Sequence, residues 1–460
     1  MNHASNPSSS IGATQPTRVR WLIVVLLMLF VAQGHFNRVS VSVAGAERLI
    51  EHEGIGSERM GWVYTAFLIV YTLCMLPGGY LIDRLGARWS LGTMGLAMGA
   101  CVIATGSLGW LGWTGTQLWI AMLVVRAIAG AFSVPLHPGS AQCVSKWTPD
   151  GSRSTANGLV TAAALMGIAV TYPIFGSLMD WLDWPLAFVM CGSVLLAFSL
   201  VWLSLSADRV GDHPWVNAAE KELVLGQLEQ PSSISDSSES AVSRSEASRD
   251  AVPVRGVDGS EKVARSPLRS LMFVTASYAA IGYFQYLFFY WMQFYFDKGL
   301  HLPPATSRLA SMVVTIAMGI GMACGGWVTD RLCLMWGPRQ GRCAIAVLSI
   351  TVSALVAVSG ILAAPPWQVV VACFSIALLA LGLCEGAFWT TAAELGGERR
   401  GLACAFMNTG GNAAGAVAPA LTPWIAEHYG WNAAIVVACV ICGMGGVFWF
   451  GVDSAPANRS

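Results

Sequence analysis

Apolar length decides what this chain can become. The run "WLIVVLLMLFVAQ", starting at Trp21, contains no charge, and comparable runs recur along nearly all of the 460 residues. A helix needs about 20 mostly apolar residues to cross the hydrocarbon core of a bilayer. Twelve stretches meet that length, roughly 21–46, 58–81, 89–110, 117–146, 155–179, 184–206, 268–296, 306–330, 341–363, 366–393, 401–426 and 431–452. Only 11% of residues are charged, against about 25% in soluble domains. The expected class is therefore an all-α membrane protein.

The organisation follows from where the apolar runs stop. Residues 1–20 read as an N-terminal tail and 21–206 as a first six-helix domain. Residues 207–267 include "QPSSISDSSESAVSRSEASRD", too polar to bury a core, and read as a largely disordered linker. A second six-helix domain spans 268–452, and 453–460 form a C-terminal tail. Within the linker, Asn217 and Glu220 precede "KELVLGQL" with capping-box spacing. Arg18 and Arg20 ahead of the first run imitate a signal peptide, but the run is too long for one, so it reads as an uncleaved span.

Basic residues are distributed unevenly. With an even number of spans, twenty of the 26 Lys and Arg fall on the side of the termini. Arg48, Arg59, Lys298 and Arg308 fall on the other side, and Arg38 and Arg126 lie inside spans. The positive-inside rule then places both termini in the cytoplasm and the chain in the cytoplasmic membrane as a multi-pass protein.

The chain also repeats. "GGYLIDRLGAR" (78–88) follows the second span and "GGWVTDRLCLMWGPR" (325–339) follows the eighth, about 247 residues apart. This is a parallel duplication of a six-span unit, so the fold expected is twelve transmembrane helices in two pseudo-symmetric bundles.

The twelve cysteines show no redox or metal spacing and lie mostly in apolar runs, as packing residues do. The seven histidines form no i, i+4 ligand pair, so no metal site is expected. No nucleophile–base set, phosphate loop or basic nucleic-acid patch occurs. An enzyme, a cofactor and a nucleic-acid partner are not expected; a monomer in the lipid bilayer is.

An arginine near the bilayer centre costs about 2.5–3.5 kcal/mol on insertion scales, and faces water or a partner. Arg38 and Arg126 both lie about 12–14 Å below the outer surface at 1.5 Å rise per residue. No Asp or Glu of the first-half spans lies at that depth. Two unpaired cations in one layer suit a carboxylate from water, held in bidentate geometry. Tyr283, Tyr286 and Tyr290, at i, i+3 and i+7, and Asn408 and Asn412, at i and i+4, offer donors for hydroxyl groups. Aromatic packing and interhelical hydrogen bonding are the plainer readings of these two sets.

Gly79, Asp83, Arg84, Gly86 and Arg88, with Asp330, Arg331 and Arg339 in the second copy, resemble the signature loop of the major facilitator superfamily. The resemblance implies a conformational latch that holds the two halves together on the inner side. "FNRVSVS", "RAIAGAFSVPLHPG" and "FWTTAAELGGERRGLACAFMNTGGNAAGAVAPALTPWI" resemble the anion:cation symporter family, which carries sugar acids such as galactonate, glucarate and hexuronates. That implies alternating-access transport of a small organic anion with substrate contacts at Arg38 and Arg126, and at Asn37 beside the first of them. Proton-coupled members have an aspartate where this chain has Asn37 and a glutamate where it has Ser133. Glu385, His137 and His35 are then the coupling candidates, His137 because offsets of 7 and 11 from Arg126 return Ser133 and His137 to one helical face. A coupling proton or sodium ion, exchange and uniport stay open. So do two rival functions: transport of neutral sugars or drug export, and a non-transporting nutrient sensor.

Overall fold

The computed structural model describes residues 15–225, 267–362 and 365–453. Most of the Ser-rich linker and the ends of both tails lie outside the described residues. The elements are α1 Val19–Ala44, α2 Ser57–Ser107, α3 Gly115–Phe132, α4 Leu136–Trp147, α5 Asp150–Leu205 and α6 Ala218–Leu225, then α7 Pro267–Phe294, α8 Pro304–Trp336, α9 Pro338–Ser359, α10 Trp367–Leu395, α11 Arg400–Tyr429 and α12 Trp431–Phe448. No strand occurs among the described residues. By length and composition, nine helical stretches of the described residues could cross a membrane. One of these, Thr155–Leu205, holds two crossings, and the first half of α2 and α11 supply the others, giving twelve.

The expected second and third spans are two helices joined through a single-residue turn inside α2, and the fifth and sixth are joined likewise inside α5. Both reverse direction at a single residue, Gly86 (φ 79°, ψ 166°) and Asp183 (φ 63°, ψ 165°). The same conformation recurs in the second half, at Gly337 (φ 83°, ψ 159°) before α9 and Gly430 (φ 85°, ψ 157°) before α12. Only glycine enters this region without strain, and three of the four turns use it. Asp183, the exception, accepts a hydrogen bond on Oδ1 from the Trp184 amide at 2.8 Å.

The fourth span is interrupted. α3 ends at Phe132, and α4 begins at Leu136 after Ser133 and Pro135. A proline removes the amide that would continue the ladder and clashes with the preceding turn. Ser133 and His137 are therefore not on one uninterrupted helical face with Arg126.

The two halves meet in symmetric pairs: the first half of α2 packs on α11, the first half of α5 on α8, and α1 on α7. Both helices at the centre, α1 and α7, end in a π-helical turn, Gly45–Leu49 and Tyr295–Gly299. An even number of crossings puts both termini on one face, called here the terminal face; the π-helical turns lie at the opposite face.

Glu220 does not complete the expected capping box. Asn217 Oδ1 caps the Glu220 amide at 2.9 Å, but the Glu220 carboxylate, fully buried, turns to the start of α1. There it accepts from the Val19 amide (3.2 Å) and from the Arg20 amide (3.1 Å) and guanidinium (3.0 Å), besides the Thr17 hydroxyl. A carboxylate at a helix N-terminus satisfies amides that have no intrahelical partner.

Candidate functional site

α1 brings Arg38 to the centre of the molecule, half-buried, where the first half of α2 faces it with aromatic rings. The guanidinium carbon lies 5.2 Å from the Phe67 ring centroid and 5.6 Å from that of Tyr71. From α3, Arg126 approaches the same Phe67 at 4.5 Å. One ring thus sits beside two guanidiniums. Stacking of this kind holds a cation weakly in place without neutralising it.

Neither arginine forms an ion pair among the described residues. Arg38 Nη2 donates to the Tyr286 hydroxyl at 2.9 Å. That hydroxyl donates to Asn412 Oδ1 at 2.8 Å, and Asn412 Nδ2 donates to the Asn408 carbonyl at 2.9 Å. A polar chain therefore runs from the first-half arginine into α11. Arg126 Nη2 reaches the Arg38 carbonyl at 3.3 Å, while Arg126 Nε is buried with no partner. An unpaired donor on a buried cation is costly, and an anion arriving between the two arginines would relieve it.

Tyr290 joins the site through its ring, stacked on Tyr286 (6.1 Å between centroids) and on Tyr64 (4.8 Å). Its hydroxyl is buried and unpartnered. Tyr283 is not brought to the arginines: it is buried among the helices, and its hydroxyl also lacks a partner. Asn37 is likewise turned aside, its Nδ2 donating back to the Gln33 carbonyl at 3.0 Å.

The three coupling candidates separate. Glu385 Oε1 accepts from Tyr278 Oη at 2.7 Å and from Trp389 Nε1 at 2.9 Å, joining α10 to α7. His35 and His137 instead meet each other, Nε2 to Nε2, at 3.1 Å. Ser133 Oγ donates to the Ala129 carbonyl at 2.7 Å.

The signature loops bind within their own halves. Arg88 donates from its amide to Asp208 Oδ1 (2.9 Å) and from Nε to the Leu203 carbonyl (3.1 Å). Arg339 pairs at 3.4 Å with Asp453, the equivalent place after the twelfth span. Asp83 accepts from Gln142 at 3.4 Å, while Arg84 and Arg331 lie over Tyr80 and Trp327. Asp330 is exposed, and at Gly79 no atom lies within 4 Å of where a Cβ would stand. In this conformation the loops tie each terminal-face turn to the last span of its own bundle. They do not hold the halves together, as the latch expectation required.

What does hold the halves together is at the opposite face. Arg308 on α8 donates to both Glu47 oxygens (2.8 and 2.6 Å) and to both Asp180 oxygens (2.5 and 2.9 Å). Gln293 adds a bond to Glu47 at 2.7 Å, and Lys298 pairs with Glu51 at 2.6 Å. Among the described residues, the cross-half hydrogen bonds nearest the terminal face are those of Asn408 and Thr409 to the Met75 sulfur, at 4.0 and 3.6 Å. The structure is thus closed by charge at the opposite face. Sequence reading missed this lock, and it missed Tyr64, Phe67, Tyr71 and Tyr278.

Two duplicated six-span bundles that meet around a buried polar centre, sealed at one face, define a membrane transporter of the rocking two-domain kind. The family model described as Major Facilitator Superfamily matches residues 21–399 and 341–460, and the chain belongs to that superfamily. It is similar to a D-galactonate transporter of Escherichia coli, at 26% identity over 70% of each chain. A probable galactarate/D-glucarate transporter of Bacillus subtilis is 30% identical over 47% of this chain and 46% of its own. A probable sulfoacetate transporter of Cupriavidus necator is 24% identical over 93% and 92%. Among solved structures, an inward-facing, occupied bacterial homolog of the human lysosomal transporter Spinster shares the fold, with a TM-score of 0.69 at 12% identity, covering 94% of this chain and 97% of that one.

Proposed function

We propose that the protein moves small organic anions, sugar acids of the aldonate, aldarate or hexuronate kind, across the cytoplasmic membrane by alternating access, with its terminal face in the cytoplasm. The observation that carries this reading is the pair Arg38 and Arg126, set beside one phenylalanine ring without a carboxylate partner, with Arg126 Nε buried and unsatisfied. The hydroxyls and amides of Tyr286, Asn412 and Asn408 would take the polyol part of the substrate. The relatives named for galactonate, galactarate/glucarate and sulfoacetate transport support an anionic substrate, since all three classes carry an acid group. With the opposite face locked, this conformation would be the one open to the cytoplasm.

The test is counterflow of labelled D-galactonate and D-glucarate in proteoliposomes. Arg126→Lys keeps the charge but removes the planar fork that matches a carboxylate, and should lose most exchange while inserting normally. Full exchange by Arg126→Lys and Arg126→Ala would refute the assignment.

A further inference from the structure

Two histidines of the first bundle meet each other beside the arginines. His35 lies one turn before Arg38 on α1, and His137 lies at the start of α4, just past the Pro135 break. Their Nε2 atoms are 3.1 Å apart, and His35 is 6% exposed with its Nδ1 buried and unpartnered. A small cavity is lined jointly by Arg38, His137, Tyr71, Ser133, Met94 and Met98, so His137 and the arginine border one space, and His35 joins it through the contact with His137.

At 3.1 Å, one Nε2 must donate and the other accept. The neutral pair therefore holds one proton between the rings and one on an Nδ1, leaving a single basic lone pair, on the Nδ1 of the donor ring. One further proton fits there. A second would place two imidazolium charges in contact beside Arg38. Apart from Arg38, the residues lining the cavity carry no fixed charge. Arg38 faces the pair from α1 and Tyr71 from the first half of α2; the second half of α2 presents Met94 and Met98, and the turn before α4 presents Ser133. On α5, residues 155–179 carry no charged side chain, and Tyr172 is their one titratable group. No carboxylate of the described residues pairs with either ring.

We infer that His35 and His137 form one proton-binding site that takes up a single proton together with the organic anion. The inference rests on the functional reading above. Arg38 opposes a proton on the pair by like-charge repulsion, and an anion on Arg38 and Arg126 cancels that opposition. By linkage, the proton must then favour the anion by the same factor. The pair thereby stands in for the carboxylates absent at Asn37 and Ser133.

The full-length protein, purified and titrated with D-galactonate and D-glucarate by calorimetry in buffers of differing ionisation enthalpy, reports protons taken up per anion bound. The wild type should take up close to one, with Kd tightening by up to about tenfold per pH unit as pH falls between about 8 and 5. The double variant His35→Gln/His137→Gln should bind with no proton uptake and with a Kd nearly independent of pH. Glu385→Gln should still take up the proton. Binding by the wild type without proton uptake overturns the inference, as does undiminished uptake by the double histidine variant or loss of uptake in Glu385→Gln. If the double variant fails to fold, His35→Gln and His137→Gln decide singly: each should shift the pH at which Kd changes, and an unshifted profile in both overturns the inference. Absence of binding by any organic acid instead refutes the functional reading itself, and the pair's role with it.

Discussion

Arg308 binds two carboxylates with similar geometry, yet the two should not matter equally. Glu47 and Asp180 each receive two of its hydrogen bonds, all between 2.5 and 2.9 Å. The Glu47 side chain is 3% exposed and that of Asp180 53%. A pair open to water contributes about 0–1 kcal/mol. Breaking a buried pair costs about 3–5 kcal/mol, because the remaining charge stays out of water. Glu47→Gln leaves the buried Arg308 with one exposed partner and keeps the side-chain shape. The penalty falls on the closed conformation alone, since opening at that face hydrates Arg308. At 1.4 kcal/mol per tenfold, the closed population should fall by at least about a hundredfold relative to the open one. Asp180→Asn should shift it less than about fivefold. Hydrogen exchange read by mass spectrometry over 45–53 and 295–302 measures this directly, and protection should collapse in Glu47→Gln and persist in Asp180→Asn. Equal loss in both variants would show that burial does not rank these contacts, and unchanged protection in both would show that the lock does not hold the face shut.

Gly61 tests the same closure without charge. A Cβ there would lie 2.3 Å from the Pro419 carbonyl oxygen on α11, a backbone atom with no rotamer to yield. Gly61→Val should cost the closed state about 1–3 kcal/mol by overpacking and expose 45–53 to exchange as Glu47→Gln does. Tyr286→Phe removes the hydroxyl that joins Arg38 to Asn412. With a charged partner worth about 1.5–3 kcal/mol, it should weaken D-galactonate binding roughly tenfold to a hundredfold in the calorimetric titration.

The fold was largely legible because its determinants are local. Span length and each copy of the loop motif depend on residues near one another in the chain, and the repeat and the basic-residue asymmetry follow from comparing such local features along it. The site was legible only where chemistry is unusual for its place: Arg38 and Arg126 announce themselves because a charge inside a span is expensive. Phe67 and Tyr71 do not, since an aromatic residue in a span is ordinary and only the packing of α2 on α1 and α3 turns these rings toward the arginines. Glu47, Asp180 and Arg308 were missed for a related reason. Each lies at a helix end, where charge is unremarkable in sequence, and the burial that gives Glu47 its weight arises only when the halves close. The misplacement of Asn37 shows the converse limit, since adjacency along a helix does not give a shared direction.

The repeat carries more information than the loop motif alone suggests. Arg38 bonds Tyr286, Ser42 the Phe289 carbonyl, Glu47 Gln293 and Glu51 Lys298, at chain separations of 248, 247, 246 and 247 residues. These match the offset of about 247 between the two signature loops. Parallel repeats are related by an axis along the membrane normal, and α1 and α7 flank it, so each residue on their facing sides meets its own counterpart. A strict duplication would therefore oppose Arg38 to a second arginine and Glu51 to a second glutamate, like charges at contact distance. Divergence at these positions is thus a requirement of closing the interface: arginine against tyrosine, glutamate against glutamine, glutamate against lysine. It also explains why the cations of the central site sit in one bundle and the neutral donors in the other. The spacing of the loops therefore already pairs Arg38 with the neighbourhood of Tyr286, because the symmetry that sets the loop offset also sets which residues of α1 and α7 meet across the axis.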